Sequence, residues 1–150
     1  YTARVMHFFI NQRNALGIPF VCYLQPVGEG AILIDQEKSW LSANGQMFEL
    51  MKVHQDGKRC MVSENDDNAV AATIKDGIMT ITLINSSYDT EKDFSIPVKG
   101  KIIEGKLFAA DDVTPYSYFS ETEIGASVVK KSLKATLPPH SVGLVKIKLK

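Results

Sequence analysis

The sequence predicts a mainly β fold, an antiparallel β-sandwich over residues 59–150 that is preceded by a helix–strand–helix segment over residues 1–58. Three observations support this prediction. The first segment shows helical periodicity on both sides of one continuous apolar run. The second shows roughly six to eight short apolar runs separated by turn residues. One pair of those runs can be placed in register from its turn alone.

The composition bears on the partners that the chain binds. Hydrophobic residues make up 45% of the 150 residues and charged residues 23%, as is usual for globular proteins. Seventeen basic residues balance seventeen acidic ones, so the chain has no net field to attract nucleic acid or anionic lipid. No run of about 18 apolar residues is present, so we expect no membrane-spanning helix. We therefore expect neither nucleic acid nor a membrane as a partner.

The two cysteines, Cys22 and Cys60, indicate no cofactor. They form no Cys-x-x-Cys pair and no Cys/His cluster, so we expect no structural zinc. We expect buried free thiols, because Cys22 lies in an apolar run. A disulfide between them stays open, since the sequence does not show whether their Cα atoms approach each other.

The chain begins with a predicted helix. Thr2 suits the N-cap position, and Val5, Phe8 and Phe9 then recur at helical spacing. Gly17 ends the helix, because glycine readily adopts the left-handed conformation that follows a helix. The pattern is already under way at the first residue and no initiating Met is present, so we expect the natural chain to begin upstream.

A buried strand and a second helix follow. Residues 18–24 are apolar on both faces, which is typical of a strand buried between two layers. A long connection, residues 25–42, leads to the second helix, which ends near Gly57. Four apolar residues at helical spacing predict that helix: Met47, Phe48, Leu50 and Met51. A single unit of this kind cannot close a sheet and needs neighbours.

Residues 68–85 predict a β-hairpin with a defined register. Asp76-Gly77 is a two-residue turn of type I′. One face is apolar and the other is mixed, so we expect a sheet packed on one side only. The expected pairs are Ile74 with Met79, Ala72 with Ile81, Val70 with Leu83, Lys75 with Ile78, and Thr73 with Thr80.

Four more strands are expected, over residues 93–98, 102–109, 127–137 and 143–149. In the last of them, Val145 and Ile147 alternate with lysines, which predicts a half-buried strand whose lysine-rich face discourages edge-to-edge aggregation. In residues 127–137, one predicted face carries four apolar side chains: Val129, Leu133, Ala135 and Leu137.

An α/β segment joined directly to a sandwich resembles the end of glycoside hydrolases built from a (β/α)8 barrel and a C-terminal β-sandwich. β-Xylosidases, arabinofuranosidases and agarases or porphyranases have this arrangement. Three stretches carry the resemblance: IPFVCYLQ (18–25) is similar to the last barrel strand, NGQMFELMKV (44–53) to the start of the last barrel helix, and LPPHSVGLVKIKL (137–149) to the closing sandwich strand. Among these families, the chain most resembles the agarase and porphyranase type, which acts on red-algal galactans.

The resemblance implies a C-terminal fragment of a polysaccharide-degrading glycoside hydrolase, with residues 1–58 as the incomplete end of the barrel. Retaining glycosidases use two carboxyl groups about 5 Å apart. The resemblance places both of them after earlier barrel strands, upstream of Tyr1, so we expect no catalytic residue and no activity in this chain alone. It also implies a polysaccharide or oligosaccharide bound through the parent barrel, that barrel as a partner, and a secreted or periplasmic location.

Two residues in the connection are predicted to contact substrate. Trp40, the only tryptophan, follows the predicted last barrel strand, and an indole offers a stacking face for a sugar ring. Glu37 and Glu29 are the carboxylates nearest the end of that strand. The alternatives are that Trp40 covers the following helix or the sandwich interface, and that both glutamates are solvated surface charge.

Other polar and aromatic groups lead to further hypotheses. The acidic residues Glu64, Asp66 and Asp67 suit either a partial calcium site or a solvated linker. A strip formed by Tyr116, Tyr118 and Phe119 would make the sandwich a non-catalytic carbohydrate-binding or adhesive module, which is the alternative function. Core or loop packing is the other reading of that strip.

The three histidines, His7, His54 and His140, are scattered along the sequence. No Ser/His/Asp order and no helical His-x-x-x-His pair links them, so the sequence does not support histidine-based catalysis.

Overall fold

The computed structural model describes residues 1–18, 21–22, 27, 30–61, 68–110 and 118–150. Within these ranges, helix α1 spans Thr2–Leu16, helix α2 spans Ala43–Met51, and a 3-10 turn follows at Lys52–His54. The strands are β1 (Ile32–Ile34), β2 (Ser39–Leu41), β3 (Lys58–Arg59), β4 (Val70–Lys75), β5 (Ile78–Asn85), β6 (Lys92–Pro97), β7 (Gly100–Ala109), β8 (Ser120–Thr122), β9 (Ala126–Val129), β10 (Ser132–Leu137) and β11 (Ser141–Leu149).

Two antiparallel sheets form the sandwich. The larger has the strand order β3-β4-β5-β11-β7-β8, and the smaller has the order β6-β10-β9. Strands β1 and β2 form a separate hairpin. This arrangement confirms the predicted mainly β class with antiparallel sheets and two helices.

A hydrophobic core fills the space between the two sheets. Its side chains come from alternate positions of the strands, because successive residues of a strand point to opposite faces. Burying a large aliphatic side chain of this kind contributes about 1.5–3 kcal/mol. The fully buried members are Ile81 and Leu83 of β5, Val145 and Ile147 of β11, and Leu133 and Leu137 of β10.

The helical layer, which we define as α1, α2 and the 3-10 turn, covers the opposite face of the six-stranded sheet. A second hydrophobic cluster lies there, formed by Ala3, Met47, Leu50, Met51, Ile84, Val142 and Leu144. The prediction that this sheet is packed on one side only is therefore wrong. The helices bring apolar side chains against the face that the sequence pattern marks as mixed.

A side-chain amide joins the helical layer to the chain just before β8. The Gln46 Nε2 group donates to the Phe119 carbonyl at 2.9 Å, and the Phe119 N–H donates back to Gln46 Oε1 at 2.9 Å. Phe119 also packs against the second hydrophobic cluster. Phe119 therefore packs inside the protein and does not form part of an exposed aromatic strip.

The predicted hairpin of β4 and β5 is confirmed in every pair. The register joins Val70 to Leu83, Ala72 to Ile81 and Thr73 to Thr80, and the remaining pairs follow. Asp76 and Gly77 have φ angles of 51° and 76°, as a type I′ turn requires at both central positions.

The strand expected over residues 127–137 is instead two strands, β9 and β10. They are joined at Lys130 and Lys131, which have φ angles of 48° and 65°. This turn reverses the chain without a glycine or asparagine, so the sequence carries no turn signal for it. The reversal also changes which residues share a face: Leu133 is fully buried, whereas Val129 is half exposed.

The last strand, β11, buries Val145 and Ile147 as predicted. It is not an edge strand, because β5 and β7 flank it. One of its lysines, Lys146, forms an ion pair with Glu104 of β7 at 2.7 Å. The idea that these lysines protect a sheet edge is therefore wrong.

Helix α1 differs from the prediction at its start. Tyr1 holds the N-cap position without a side-chain hydrogen bond, and Thr2 is already helical. The Thr2 hydroxyl lies 2.6 Å from Asn44 Oδ1, which places the first turn of α1 against the first turn of α2. Gly17 ends α1 as predicted, with a φ angle of 62°.

The face of α1 that packs on the sheet is not the one that carries Phe8. Its buried residues are Ala3, His7 and Asn11, spaced four apart. Phe8, which helped to predict the helix, is exposed. The polar side chains on the buried face are accommodated because the sheet offers them hydrogen-bond partners.

Several predictions fall wholly or partly outside the described residues. Glu29, Tyr116 and the acidic group of Glu64, Asp66 and Asp67 lie outside them. In the expected strand over residues 18–24, Val21 and Cys22 are exposed, and neither pairs with a strand among the described residues. The domain boundary after residue 58 stays a prediction.

The expectation of buried thiols is wrong for Cys22, which is exposed. Cys60 is partly buried and packs against the sandwich core, and this burial raises the pKa of its thiol. Both cysteines are free. No described helix is long and apolar enough to cross a membrane.

Candidate functional site

Trp40 and Glu37 lie on the β1–β2 hairpin, which projects from the start of α2. Strand β2 carries Trp40 opposite Leu33 of β1, and Glu37 lies in the turn between the strands. Within the described residues, no hydrogen bond, ion pair or ring contact joins the side chains of Trp40 and Glu37. The structure therefore places both on one element without bringing their side chains together.

Asp35 organises the turn of this hairpin. Its Oδ1 atom accepts hydrogen bonds from the backbone N–H groups of Glu37 and Lys38, at 2.8 and 2.9 Å. The Asp35 N–H donates to the Lys38 carbonyl at 3.0 Å. Short acidic side chains favour turns through local bonds of this kind. The Asp35 carboxylate is thus used structurally, and Glu37 remains as the exposed carboxylate at the tip.

Trp40 is half-buried, and one face of its ring is near a cation. The Lys38 Nζ atom lies 5.4 Å from the ring centroid, within the range of a cation–π interaction. An exposed pair of this kind is worth about 0.5–1 kcal/mol. A sugar that stacks on the indole would therefore use the other face or displace the lysine.

Ser42 fixes the hairpin to helix α2. Its N–H donates to the Ala31 carbonyl at 2.9 Å, and its hydroxyl donates to the Gly30 carbonyl at 2.7 Å. The same hydroxyl accepts from the Gly45 N–H at 3.2 Å and so caps α2. Because one residue closes the hairpin and starts the helix, the two elements are held in a fixed relation.

Apolar side chains on the hairpin face solvent. Ile34 is 58% exposed and Leu41 is also exposed. Other exposed apolar side chains occur in the same part of the chain: Tyr1, Phe8, Leu16, Val21 and Val27. The inner side of the helical layer is therefore covered by the sheet, while parts of its outer side are apolar and uncovered by described residues.

An open groove of about 500 Å³ lies at the start of α1. Residues on one face of the helix line it together with the residues next to β4 and β5: Tyr1, Arg4, Val5, Phe8, Asn68 and Ser86. The sequence patterns did not indicate this groove. The lining residues of α1 lie three, four and seven positions after Tyr1. This spacing places them on one helix face, and it is the sign of the groove that the sequence contains.

His7 and His54 meet inside the protein, although they are 47 positions apart in the sequence. The Thr82 hydroxyl lies 2.7 Å from His7 Nε2 and 2.8 Å from His54 Nε2. His7 Nδ1 lies 2.8 Å from the Asn68 carbonyl, and His54 Nδ1 lies 2.9 Å from the Thr73 hydroxyl. We name this chain of groups the histidine relay. It joins α1 and the 3-10 turn to β4 and β5.

Burial keeps both imidazoles neutral. It lowers the pKa of His7 from 6.5 to about 3, while the hydrogen bond to the Asn68 carbonyl acts in the opposite direction. Burial and, to a smaller extent, the Arg13 guanidinium lower the pKa of His54 to about 4. Neither ring is accessible to a substrate, since His7 is 0% and His54 2% exposed. The relay is thus a structural element and not a catalytic site.

The remaining candidates do not form a second site among the described residues. Tyr118 is exposed, whereas Phe119 packs inward. No described group of His, Cys, Asp and Glu side chains is arranged to hold a metal ion.

No protein-family model matches the sequence, and no curated protein matches it. Solved structures do share the fold. A family 51 α-L-arabinofuranosidase from Bifidobacterium longum, AbfB, superposes with a TM-score of 0.73 at 14% identity, over 97% of this chain and 33% of that one. A GH51 arabinofuranosidase from Xanthomonas axonopodis pv. citri gives 0.62 at 21% identity, over 97% and 35%.

A third structure, the catalytic domain of GH30 xylanase C from Talaromyces cellulolyticus, superposes with a TM-score of 0.56 at 16% identity, over 79% of this chain and 27% of that one. The chain spans about a third of the length of these structures or less. Identities this low relate the folds alone. The chain therefore has the fold of part of a glycoside hydrolase.

Proposed function

We propose that this chain is a non-catalytic part of a polysaccharide-degrading glycoside hydrolase. The sandwich and the helical layer brace a (β/α)8 barrel, and the β1–β2 hairpin forms one wall of the substrate cleft. The catalytic carboxyl groups belong to the barrel, in the part of the protein that precedes Tyr1. Secretion or a periplasmic location is part of the same proposal.

One observation carries this proposal. The helical layer is closed on its inner side by the six-stranded sheet, yet the hairpin before α2 exposes Ile34 and Leu41, and α1 exposes Phe8. Several exposed apolar side chains in one part of the chain favour an interaction site there. A barrel that continues the α/β part of the chain is the partner that the sequence resemblance implies.

The shared fold supports the class of the parent protein, and the substrate within that class is a finer proposal. The solved structures named above are arabinofuranosidases and a xylanase. The short sequence resemblances favour the agarase and porphyranase type. A substrate panel that contains arabinan, xylan and agarose, with matched oligosaccharides, separates these possibilities.

The first experiment compares this chain with the longer protein that includes the upstream coding sequence. We expect hydrolysis of one member of the panel by the longer protein and none by residues 1–150. Reducing-sugar release is the measurement. Hydrolysis by the chain alone would contradict the proposal, and so would an upstream sequence that encodes no α/β barrel.

The second experiment tests Trp40 in that longer protein. We expect Trp40→Ala to raise KM about 2- to 10-fold with a smaller change in kcat, because stacking of this type is worth about 0.5–1.5 kcal/mol. Tyr88→Ala is the matched control, since Tyr88 is an exposed aromatic residue on the β5–β6 connection. Equal kinetics for Trp40→Ala and the wild type would exclude the indole from the cleft.

Glu37→Gln in the same assay tests the second candidate residue. The substitution keeps the shape of the side chain and removes its charge. A change confined to KM would support contact with substrate, whereas wild-type kinetics would show that Glu37 is solvated surface charge.

The alternative function, a carbohydrate-binding or adhesive module, predicts glycan binding by residues 59–150 without the helical layer. The inward packing of Phe119 leaves Tyr118 as the exposed described member of the aromatic strip. Calorimetric titration of the chain with the same oligosaccharides distinguishes the two functions. Binding that persists in Trp40→Ala and is lost in Tyr118→Ala would favour the module.

A further inference from the structure

We propose that the histidine relay is an acid-sensitive latch: protonation of His7 or His54 releases the helical layer from the six-stranded sheet while the sandwich stays folded. This inference is independent of the proposed function. It concerns how two parts of this chain are joined, and it stands on the geometry of the buried hydrogen bonds.

The relay has one consistent arrangement of protons when both rings are neutral. The Asn68 carbonyl only accepts, so His7 Nδ1 carries the proton and its Nε2 accepts from the Thr82 hydroxyl. Thr82 then accepts from His54 Nε2–H, and His54 Nδ1 accepts from the Thr73 hydroxyl. Every donor and acceptor of the two rings is used once.

An added proton forces the hydrogen bonds of the relay to change direction. If His7 gains one at Nε2, the Thr82 hydroxyl must turn to donate to His54 Nε2, the His54 proton must move to Nδ1, and the Thr73 hydroxyl must turn away. If His54 gains one at Nδ1, the Thr73 hydroxyl must rotate and give up its own bond. Either step also leaves a positive charge in a site that solvent does not reach, which is costly without a paired anion.

The charged groups near the relay increase this cost. From α1, Arg13 acts on His54 through its charge, and His54 acts on His7. From β3, Arg59 lies opposite Thr73 in register. The groups that β4 and β5 contribute to the relay are uncharged hydroxyls. Within the described residues, no carboxylate contributes to the electrostatics of either ring.

The relay lies in the contact between the helical layer and the six-stranded sheet, on the sheet face that also carries the second hydrophobic cluster. The sandwich core lies between the sheets and contains no residue of α1 or α2. The helical layer and the hairpin form one continuous stretch, because Ser42 links the hairpin to α2 and the 3-10 turn with His54 follows α2 directly. Loss of the relay therefore acts on the layer and leaves the core contacts of the sandwich intact.

The direction of the pH effect follows from the two states. In the released state each imidazole regains its ordinary pKa of 6.5, whereas in the latched state the values are about 3 and about 4. The released state therefore binds more protons between pH 6.5 and 4, and the latch weakens as the pH falls through that window. At pH 5 each histidine favours release by roughly 30-fold relative to neutral pH.

Hydrogen–deuterium exchange at about pH 7.5 and pH 5, corrected for intrinsic exchange rates, tests the latch on the full chain. We expect protection of α1 and α2 to fall by up to about 1000-fold, while β10 keeps its protection. In His54→Gln, whose amide replaces both hydrogen bonds without titrating, the fall should shrink to about 30-fold. The matched control is His140→Asn, which leaves the relay intact and should behave like the wild type.

Three outcomes would overturn the proposal. They are equal protection of the layer at both pH values, an unchanged fall in His54→Gln, and a loss of protection in β10 by the same factor as in α1. If His54→Gln does not fold, nitrogen chemical shifts of the wild-type imidazoles provide the decisive measurement. The latch requires a proton on Nδ1 of His7 and on Nε2 of His54 at pH 7.5, and the reverse tautomers would exclude it.

Discussion

Thr82 provides a single hydroxyl group that two histidines share, one as donor and one as acceptor. This arrangement satisfies polar groups at the centre of an otherwise apolar contact between α1, the 3-10 turn and the sheet. Asn11 extends it, because its Nδ2 group donates to the Val70 carbonyl at 2.9 Å. The stability of the interface depends on a hydrogen-bond partner for every buried polar group, since each group without one costs about 1–3 kcal/mol of folding free energy.

Thr82→Val removes that hydroxyl at nearly constant volume. The change leaves His54 Nε2–H without an acceptor and His7 Nε2 without a donor, so we expect about 1–3 kcal/mol of destabilisation for each group. Urea unfolding followed by circular dichroism measures the change. Thr80→Val is the matched control, because Thr80 lies on the same strand and face, is also buried, and makes no side-chain hydrogen bond with the described residues. Equal losses for the two variants would contradict the role of the shared hydroxyl.

Asn85 shows that a short sequence motif does not predict whether its residues are exposed. Asn85-Ser86-Ser87 fits a glycosylation sequon, but the Asn85 amide is buried. Its Nδ2 group donates to the carbonyls of Thr90, Leu137 and Pro138 at 2.8–3.0 Å. The amide is thus a structural group that holds two turns together in the folded protein.

At the scale of elements, the junction between the hairpin and α2 depends on close backbone approach. A Cβ atom at Gly45 would lie 2.1 Å from the Ala31 carbonyl oxygen. A side chain there would push the hairpin away from the helix and weaken the Ser42 bonds. The position of Trp40 therefore depends on a glycine five residues further along the chain.

Gly45→Ala tests this junction. Alanine normally stabilises a helix relative to glycine by about 1 kcal/mol, but here the clash should dominate and lower stability by about 1–3 kcal/mol. The fluorescence of Trp40, the only tryptophan, should shift as the hairpin moves. Gly125→Ala is the control, since nothing lies within 4 Å of the added Cβ atom. Gly45→Ala with wild-type emission and stability would show that the junction tolerates a side chain.

The elements differ in how well the sequence predicts them. The β4–β5 hairpin is correct in every pair because its turn chemistry and its alternation act locally and agree. The β9–β10 turn was missed because Lys130 and Lys131 adopt positive φ angles without the usual turn residues. The packing face of α1 does not follow from its apolar residues, because its buried side contains His7 and Asn11, whose hydrogen-bond partners lie far away in the sequence.

At the scale of the whole molecule, β11 contributes side chains to both hydrophobic clusters, as β5 does. Leu144 points into the cluster under the helical layer, and Ile147 points into the sandwich core. Two residues of one central strand thus pack in two different layers. They do so because the six-stranded sheet is covered on both faces.

Leu144→Ala and Ile147→Ala form a matched pair that tests it. Each should cost about 2–5 kcal/mol, because each deletes a buried aliphatic side chain. We expect Leu144→Ala to reduce exchange protection mainly in α1 and α2, and Ile147→Ala to reduce it mainly in β10. Identical protection patterns in the two variants would show that helical layer and sandwich unfold as one unit.

The sequence by itself determined the mainly β class, the ends of α1 at Gly17 and of the hairpin strands at Asp76-Gly77, and the choice of Trp40 as the residue to test. These features depend on neighbours within a few positions, so local chemistry encodes them. Only the tertiary structure decided that β11 lies between β5 and β7, that the helices cover the mixed face of the sheet, and that His7 and His54 meet at Thr82. Such contacts join residues far apart in the chain, and they form because buried polar groups must find partners that no local pattern specifies.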